Sequence, residues 1–164
     1  TGNYNAENVM AAITIGDYFH LTINELKKGI ESYEPKNNRS QLYRTNHNEL
    51  IIDAYNANPT SMMASILNFA ELNNDNKMLI LGDMLELGKY SGTEHQNIID
   101  LLKKLNFKNV MLVGKEFSQT VHNFISFPDV EKLIEYFNKM PVQHHLILIK
   151  GSRGIQLEKV IKVL

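Results

Sequence analysis

Four short apolar runs set the tightest limit on how this chain can fold: Leu50-Ile51-Ile52, Met78-Leu79-Ile80-Leu81, Val110-Met111-Leu112-Val113 and Leu146-Ile147-Leu148-Ile149. Each is about as long as a strand and nearly continuous, the pattern of a strand covered on both faces, whereas a strand with one wet face alternates. Helical stretches lie between them, at 61–72, 92–105 and 130–140, with a further helical turn or two from 158 to 164. A weaker strand is predicted near 124–127. Alternating strands and helices need right-handed crossovers, so the pattern predicts an open, mostly parallel α/β sheet with helices on both faces.

The first thirty-odd residues follow a different rhythm. Asn5 is a predicted N-cap, followed by Val9, Ala12, Ile13 and Gly16 on one helical face. A second helix starts at Thr22, with Glu25 completing a capping box and Leu26 and Ile30 on its apolar side. Two helices of this size cannot bury a core of their own. They are expected to be the tail of a preceding domain, and a chain beginning at Thr1 is expected to be an excised piece of a longer one. The polar stretch Glu34-Pro35-Lys36-Asn37-Asn38 reads as a linker, dividing the chain into 1–38 and 39–164.

Composition narrows the partners. A net charge of −1 lacks the basic excess of a nucleic-acid binder, so no nucleic acid is expected. The apolar runs are far too short to span a bilayer, so no membrane is expected either. With no cysteine there are no disulfides or thiolate metal sites, and no signal-peptide pattern opens the chain, which makes the cytoplasm the expected compartment.

In open α/β sheets ligands bind beyond the carboxyl ends of the strands. The unusual polar residues are placed there: Asp53-Ala54-Tyr55-Asn56-Ala57-Asn58-Pro59 after the first run, Gly82-Asp83-Met84-Leu85-Glu86-Leu87-Gly88 after the second, Gly114-Lys115 after the third and Lys150-Gly151-Ser152-Arg153-Gly154 after the last. A strand-end carboxylate such as Asp53 accepts hydrogen bonds from ribose hydroxyls or caps a turn. The last loop offers amides, a hydroxyl and two cations, which suit a carboxylate or phosphate. Neither G-x-x-x-x-G-K-[ST] nor G-x-G-x-x-G occurs in the chain. His144-His145 lacks a third ligand and is not read as a metal site; His95 is expected to pack or to hydrogen-bond the Asp83–Glu86 loop, and Met62 and Met63 to fill the core.

Three of these blocks, Asp53-Ala54-Tyr55-Asn56-Ala57-Asn58-Pro59, Leu81-Gly82-Asp83-Met84-Leu85-Glu86-Leu87-Gly88 and Lys150-Gly151-Ser152-Arg153-Gly154, resemble signatures of the Mur ligase family, in its D-alanyl-D-alanine-adding members, in that family's order. Gly2-Asn3-Tyr4-Asn5-Ala6-Glu7-Asn8 with Ala11-Ala12 resembles the end of the family's central ATPase domain, although the family often carries histidine where this chain has Tyr4. The resemblance implies a Rossmann-like carboxy-terminal domain closing over ATP. It implies a reaction in which ATP phosphorylates the carboxylate of UDP-N-acetylmuramoyl-tripeptide, with magnesium supporting the phosphoryl step, and D-alanyl-D-alanine then displaces phosphate.

Matched residue by residue, Asp53 resembles the ribose-binding carboxylate, Asn56 and Asn58 the amides nearest the nucleotide, Arg39 an interdomain arginine that reaches ATP, and Asn5 and Asn8 the asparagines near the adenine. Lys150, Ser152 and Arg153 occupy the loop expected to meet the dipeptide. The phosphate loop, the magnesium ligands and the modified lysine of the family are expected upstream, in the amino-terminal and central domains. No catalytic residue is therefore assigned to this chain, which is expected to be inactive alone. The competing readings are another Mur-type or folylpolyglutamate-type amide ligase, and a nucleotide-binding module without chemistry.

Overall fold

A computed structural model describes residues 6–33 and 38–164, and the expected N-cap Asn5 lies outside them. The chain divides into two compact units, Thr1–Pro35 and Lys36–Leu164. The first is a helix pair, α1 (Ala6–Tyr18) and α2 (Ile23–Glu31). They meet at Gly16, the buried residue of α1, where a β-carbon would run into the Leu26 side chain. The capping box forms as read: Thr22 N–H donates to Glu25 Oε2 at 2.8 Å and Glu25 N–H to Thr22 Oγ1 at 3.3 Å. Hydrogen bonds from the hydroxyl and then the amide of Thr22 hold the Glu25 carboxyl below its usual pKa.

The second unit is a six-stranded sheet in the order β1-β2-β6-β3-β4-β5, comprising β1 (Gln41–Arg44), β2 (Glu49–Asp53), β3 (Lys77–Gly82), β4 (Val110–Val113), β5 (Ile125–Phe127) and β6 (Leu146–Lys150). All neighbours pair in parallel except β1 with β2. The four apolar runs are β2, β3, β4 and β6, and β3, β4 and β6 are buried almost throughout.

Their two faces are covered by different elements. On one, α3 (Pro59–Glu71) and α4 (Ser91–Lys104) supply Met62, Ile66 and Phe69 and Ile98, Ile99 and Leu102, each a stripe at helical spacing. On the other, α6 (Val130–Lys139) supplies Val130, Leu133 and Phe137. Beside it Leu157 and Val160, three residues apart, face inward from a 3-10 run, Leu157–Val163, where a short closing helix was predicted. A fully buried side chain of this kind contributes about 1.5–3 kcal/mol.

The structure adds a strand and a helical turn to the predicted set, besides 3-10 turns at Gly88–Tyr90 and Arg153–Ile155. Strand β1 is an antiparallel edge strand with Leu42 and Tyr43 facing out, and its place comes from backbone pairing with β2 rather than from an apolar pattern. Helix α5 (Lys115–Ser118) is a single turn. Met62 is fully buried as expected, but Met63 is more than one-third exposed because it lies off the α3 stripe.

Candidate functional site

Because β2, β6, β3 and β4 run in parallel, their carboxyl ends share one edge, with Asp53 opposite Lys150 and Gly82 opposite Val113. The loops beyond β6 and β3 approach closely there. A β-carbon on Gly151 would lie 3.0 Å from the Gly82 Cα, so both positions favour the smallest residue.

Under the edge lies a layer of buried polar groups. Lys150 is 2% exposed, and its ammonium donates to Asp53 Oδ2 at 2.5 Å and to the Asn56 carbonyl at 3.4 Å. Asp53 also accepts from Ser40 N–H at 3.2 Å and Ser65 Oγ at 3.3 Å. A buried ammonium is tolerated only beside an opposite charge, so the β2 and β6 loops are fixed against each other by this pair. The Lys150 charge thus acts through Asp53 and the β2 loop, and Asp53 keeps limited acceptor capacity for a ligand.

Ser152 joins three loops. Its hydroxyl accepts from Leu85 N–H at 2.9 Å and donates to the Ala57 carbonyl at 3.4 Å, and its own N–H donates to the Asp83 carbonyl at 3.1 Å. With both hydroxyl functions used and the residue buried, Ser152 braces the edge and positions Arg153 next to it.

The β3 loop is held from the opposite side. Asp83 accepts from Glu116 and Phe117 N–H at 3.0 and 2.9 Å, and the carboxylate lies where a side chain on Gly114 would go. Gly114 has φ +126, which a side chain would strain in any case. His95, fully buried, accepts the Met84 N–H on Nε2 at 3.0 Å and donates from Nδ1 to the Ser91 carbonyl at 2.8 Å. This is the expected bond to the Asp83–Glu86 loop, and it fixes the ring's tautomer.

Above this layer is an exposed rim. The Arg39 guanidinium carbon stands 4.0 Å from the centroid of the Tyr55 ring, and that of Arg153 stands 5.7 Å from the same centroid. Among the described residues no carboxylate forms an ion pair with either arginine. Asn56 is exposed, with Oδ1 turned to the Ala57 N–H at 2.9 Å. Asn58 is exposed and is the N-cap of α3: Oδ1 accepts Ser61 N–H at 2.8 Å, and its amide nitrogen donates to none of the described residues.

The structure thus brings Asp53, Asn56, Asn58, Lys150, Ser152 and Arg153 to the one edge where the sequence reading had their loops, and adds Arg39, which that reading had not placed there. It gives Tyr55 no role, although an aromatic residue exposed between Asp53 and Asn56 was the available signal. Asn8 lies in the first turn of α1, in the other compact unit. Among the described residues no three His, Cys, Asp or Glu side chains come together to hold a metal ion.

Comparison with known proteins finds relatives along almost the whole chain. A UDP-N-acetylmuramoyl-tripeptide–D-alanyl-D-alanine ligase of Bacillus subtilis is 33% identical over 172 residues, covering 98% of this chain and 38% of the relative. A crystal structure of MurF from Acinetobacter baumannii superposes with a TM-score of 0.81 at 25% identity, covering 99% of this chain and 38% of that one. The MurF ligase of Thermotoga maritima, solved in complex with ADP, shares the fold with a TM-score of 0.79 at 20% identity, over 95% of this chain and 36% of its own. The chain therefore spans little more than a third of the length of these relatives. The family model of the Mur ligase glutamate ligase domain matches residues 38–153, a stretch that contains every strand and the carboxyl edge through Arg153, and the chain belongs to the Mur ligase family.

Proposed function

We propose that this chain supplies part of the ATP and dipeptide sites of a ligase that joins D-alanyl-D-alanine to UDP-N-acetylmuramoyl-tripeptide in peptidoglycan precursor synthesis. The observation that carries the proposal is the carboxyl edge itself: two exposed guanidiniums, Arg39 and Arg153, above a layer of buried braces. The Bacillus subtilis relative is named for this reaction, and the Thermotoga maritima protein with the same fold was solved with ADP, which supports a nucleotide by analogy of fold alone.

In the proposed reaction the tripeptide carboxylate attacks the terminal phosphorus of ATP, giving an acyl phosphate and ADP. The dipeptide amine then attacks the acyl carbon, the carbon–oxygen bond to phosphate breaks, and an amide and inorganic phosphate remain. Such chemistry rests on positioning and charge neutralisation. Arg39 neutralises phosphate oxygens, and the remaining acceptor capacity of Asp53 takes a ribose hydroxyl. Asn56 and Asn58 present amides to the nucleotide. Arg153, held by the Ser152 brace, takes the dipeptide carboxylate in its planar fork. Amino-terminal and central domains supply the tripeptide site and the phosphate loop.

Steady-state kinetics in the full-length ligase test this, with ATP and dipeptide varied in turn. Losing a hydrogen bond to a charged group costs about 1.5–3 kcal/mol, or roughly ten- to a hundredfold in affinity. Arg39→Ala is expected to raise KM for ATP by that factor, and Arg153→Ala to raise it for the dipeptide. If neither variant, folded normally, changes either constant, this edge is not the ligand site.

A further inference from the structure

The two arginines of the rim share one aromatic ring. Arg39 precedes β1 and Arg153 follows β6, so they are far apart in sequence, and neither is held by an ion pair among the described residues. Long, solvated arginine side chains left to themselves populate many rotamers, and a ligand that needs one geometry must order them at an entropic cost. Here each guanidinium lies within the approximately 6 Å over which a ring face attracts a cation. Two like charges would otherwise separate. The electron-rich face of Tyr55 offsets part of that repulsion and limits where each fork can go.

The ring is itself well anchored. Tyr55 lies between Asp53, pinned by Lys150, and Asn56, whose carbonyl accepts from the same ammonium. The residues on either side of Tyr55 are thus tied to the buried Lys150 ammonium, while Tyr55 is 38% exposed and its ring sits with the arginines on the rim. Its hydroxyl forms no hydrogen bond with the described residues, so the ring rather than the oxygen serves the arrangement.

We propose that Tyr55 is a positioning residue that holds Arg39 and Arg153 together as a paired-guanidinium site for oxyanions. The shared chemistry is an anionic oxygen group, the phosphate chain of a nucleotide or the carboxylate of a peptide, and both sources are substrates under the function proposed above, on which this inference rests. Removing the ring frees both arginines at once, so its loss weakens two ligands that no single arginine variant weakens together.

The test is a set of variants in the full-length ligase, with ATP and D-alanyl-D-alanine varied separately and melting curves recorded. Each cation–ring contact is worth about two- to fivefold in affinity at an exposed site. Tyr55→Leu is therefore expected to raise KM for both substrates by about two- to fivefold, with kcat held and the melting temperature nearly unchanged. Tyr55→Phe keeps the ring and is expected to recover most of that loss, which a role through the hydroxyl would not give, while a role in folding would lower the melting temperature of Tyr55→Leu. If Tyr55→Leu raises neither KM, or only one, while Arg39→Ala and Arg153→Ala each raise theirs, the positioning role is overturned and the functional reading stands. If the arginine variants also change nothing, both fall. A Tyr55→Phe enzyme as impaired as Tyr55→Leu likewise overturns the positioning role, because the ring would not be the active part.

Discussion

At the amino edge of the sheet, Asn48 is 4% exposed and every hydrogen-bonding group of its side chain is used internally. Its amide donates to the Val142 carbonyl at 2.9 Å and the Leu164 carbonyl at 2.5 Å, and its oxygen accepts from His145 N–H at 3.0 Å. Thr45 adds a bond to the same Leu164 carbonyl at 3.0 Å. At the carboxyl edge, Asp53, Lys150 and Ser152 form a similar buried layer, yet it carries a rim of exposed arginine, tyrosine and asparagine. Both ends satisfy buried polar groups, as any folded protein must. What distinguishes the carboxyl end is polar chemistry beyond that need. Buried polar residues alone do not mark a site, whereas cations carried above a finished layer of braces do.

The largest expected effect breaks the brace itself. Asp53→Ala leaves the Lys150 ammonium buried without its partner, and removing one member of a buried pair costs about 3–5 kcal/mol. Urea denaturation should show it as a lower midpoint at unchanged slope. The double variant Asp53→Leu with Lys150→Met should recover much of the loss, since neither charge then remains to be solvated. A small loss in Asp53→Ala would mean that the pair is not what joins the β2 and β6 loops. Kinetics on Asp53→Ala alone would mix stability with nucleotide binding, which is why the arginines are the cleaner probes of function.

Next in size comes the amino edge. Asn48→Ala leaves the Val142 carbonyl and the His145 amide without a side-chain partner and the Leu164 carbonyl with Thr45 alone, at an expected cost of about 2–3 kcal/mol. Both Michaelis constants of the full-length ligase should stay where they are. A change in either one, in a folded protein, would break the contrast between the two ends.

The contrast also separates what could be read in the sequence from what could not. β2, β3, β4 and β6 are legible because strands covered on both faces must be apolar throughout, and the loops beyond them follow from the parallel sheet. β1 is not legible, since Leu42 and Tyr43 face outward and the strand exists by pairing with β2. The Asp53–Lys150 pair spans 97 positions and depends on β6 returning between β2 and β3, an order that local pattern does not encode. For the same reason Lys150 and Ser152 read as ligand groups, while the fold turns the ammonium of one and the hydroxyl of the other inward. Asn48 carries no motif at all; its bonds form only when Val142, His145 and Leu164, all distant in sequence, arrive beside it.

Ser152→Ala should have an intermediate effect, about 1–2 kcal/mol, for loss of the bonds to Leu85 N–H and the Ala57 carbonyl. Because the same loop carries Arg153, KM for the dipeptide should rise by a few-fold while that for ATP changes less. Equal changes in both would indicate that the brace serves the whole edge rather than the Arg153 loop.

The smallest stability effects are expected from two arginines at opposite ends, and they sharpen the comparison most. Arg44 is exposed at the amino edge and pairs with Glu49 at 2.9 Å, whereas Arg153 is exposed at the carboxyl edge and lies over Tyr55. An exposed ion pair contributes about 0–1 kcal/mol and is screened by salt; an exposed cation over a ring contributes about 0.5–1 kcal/mol. Arg44→Ala and Arg153→Ala should therefore melt within a few degrees of the parent. The Arg44→Ala difference should shrink in high salt, since its partner is a full charge in water. In kinetics the two must part: Arg44→Ala leaves both Michaelis constants unchanged, because its charge is already matched by Glu49. Arg153→Ala raises that for the dipeptide, because no carboxylate among the described residues balances its charge and the ligand supplies one. Were Arg44→Ala to weaken substrate binding as much as Arg153→Ala, general attraction by surface charge would account for both, and the carboxyl edge would lose its claim to be a built site.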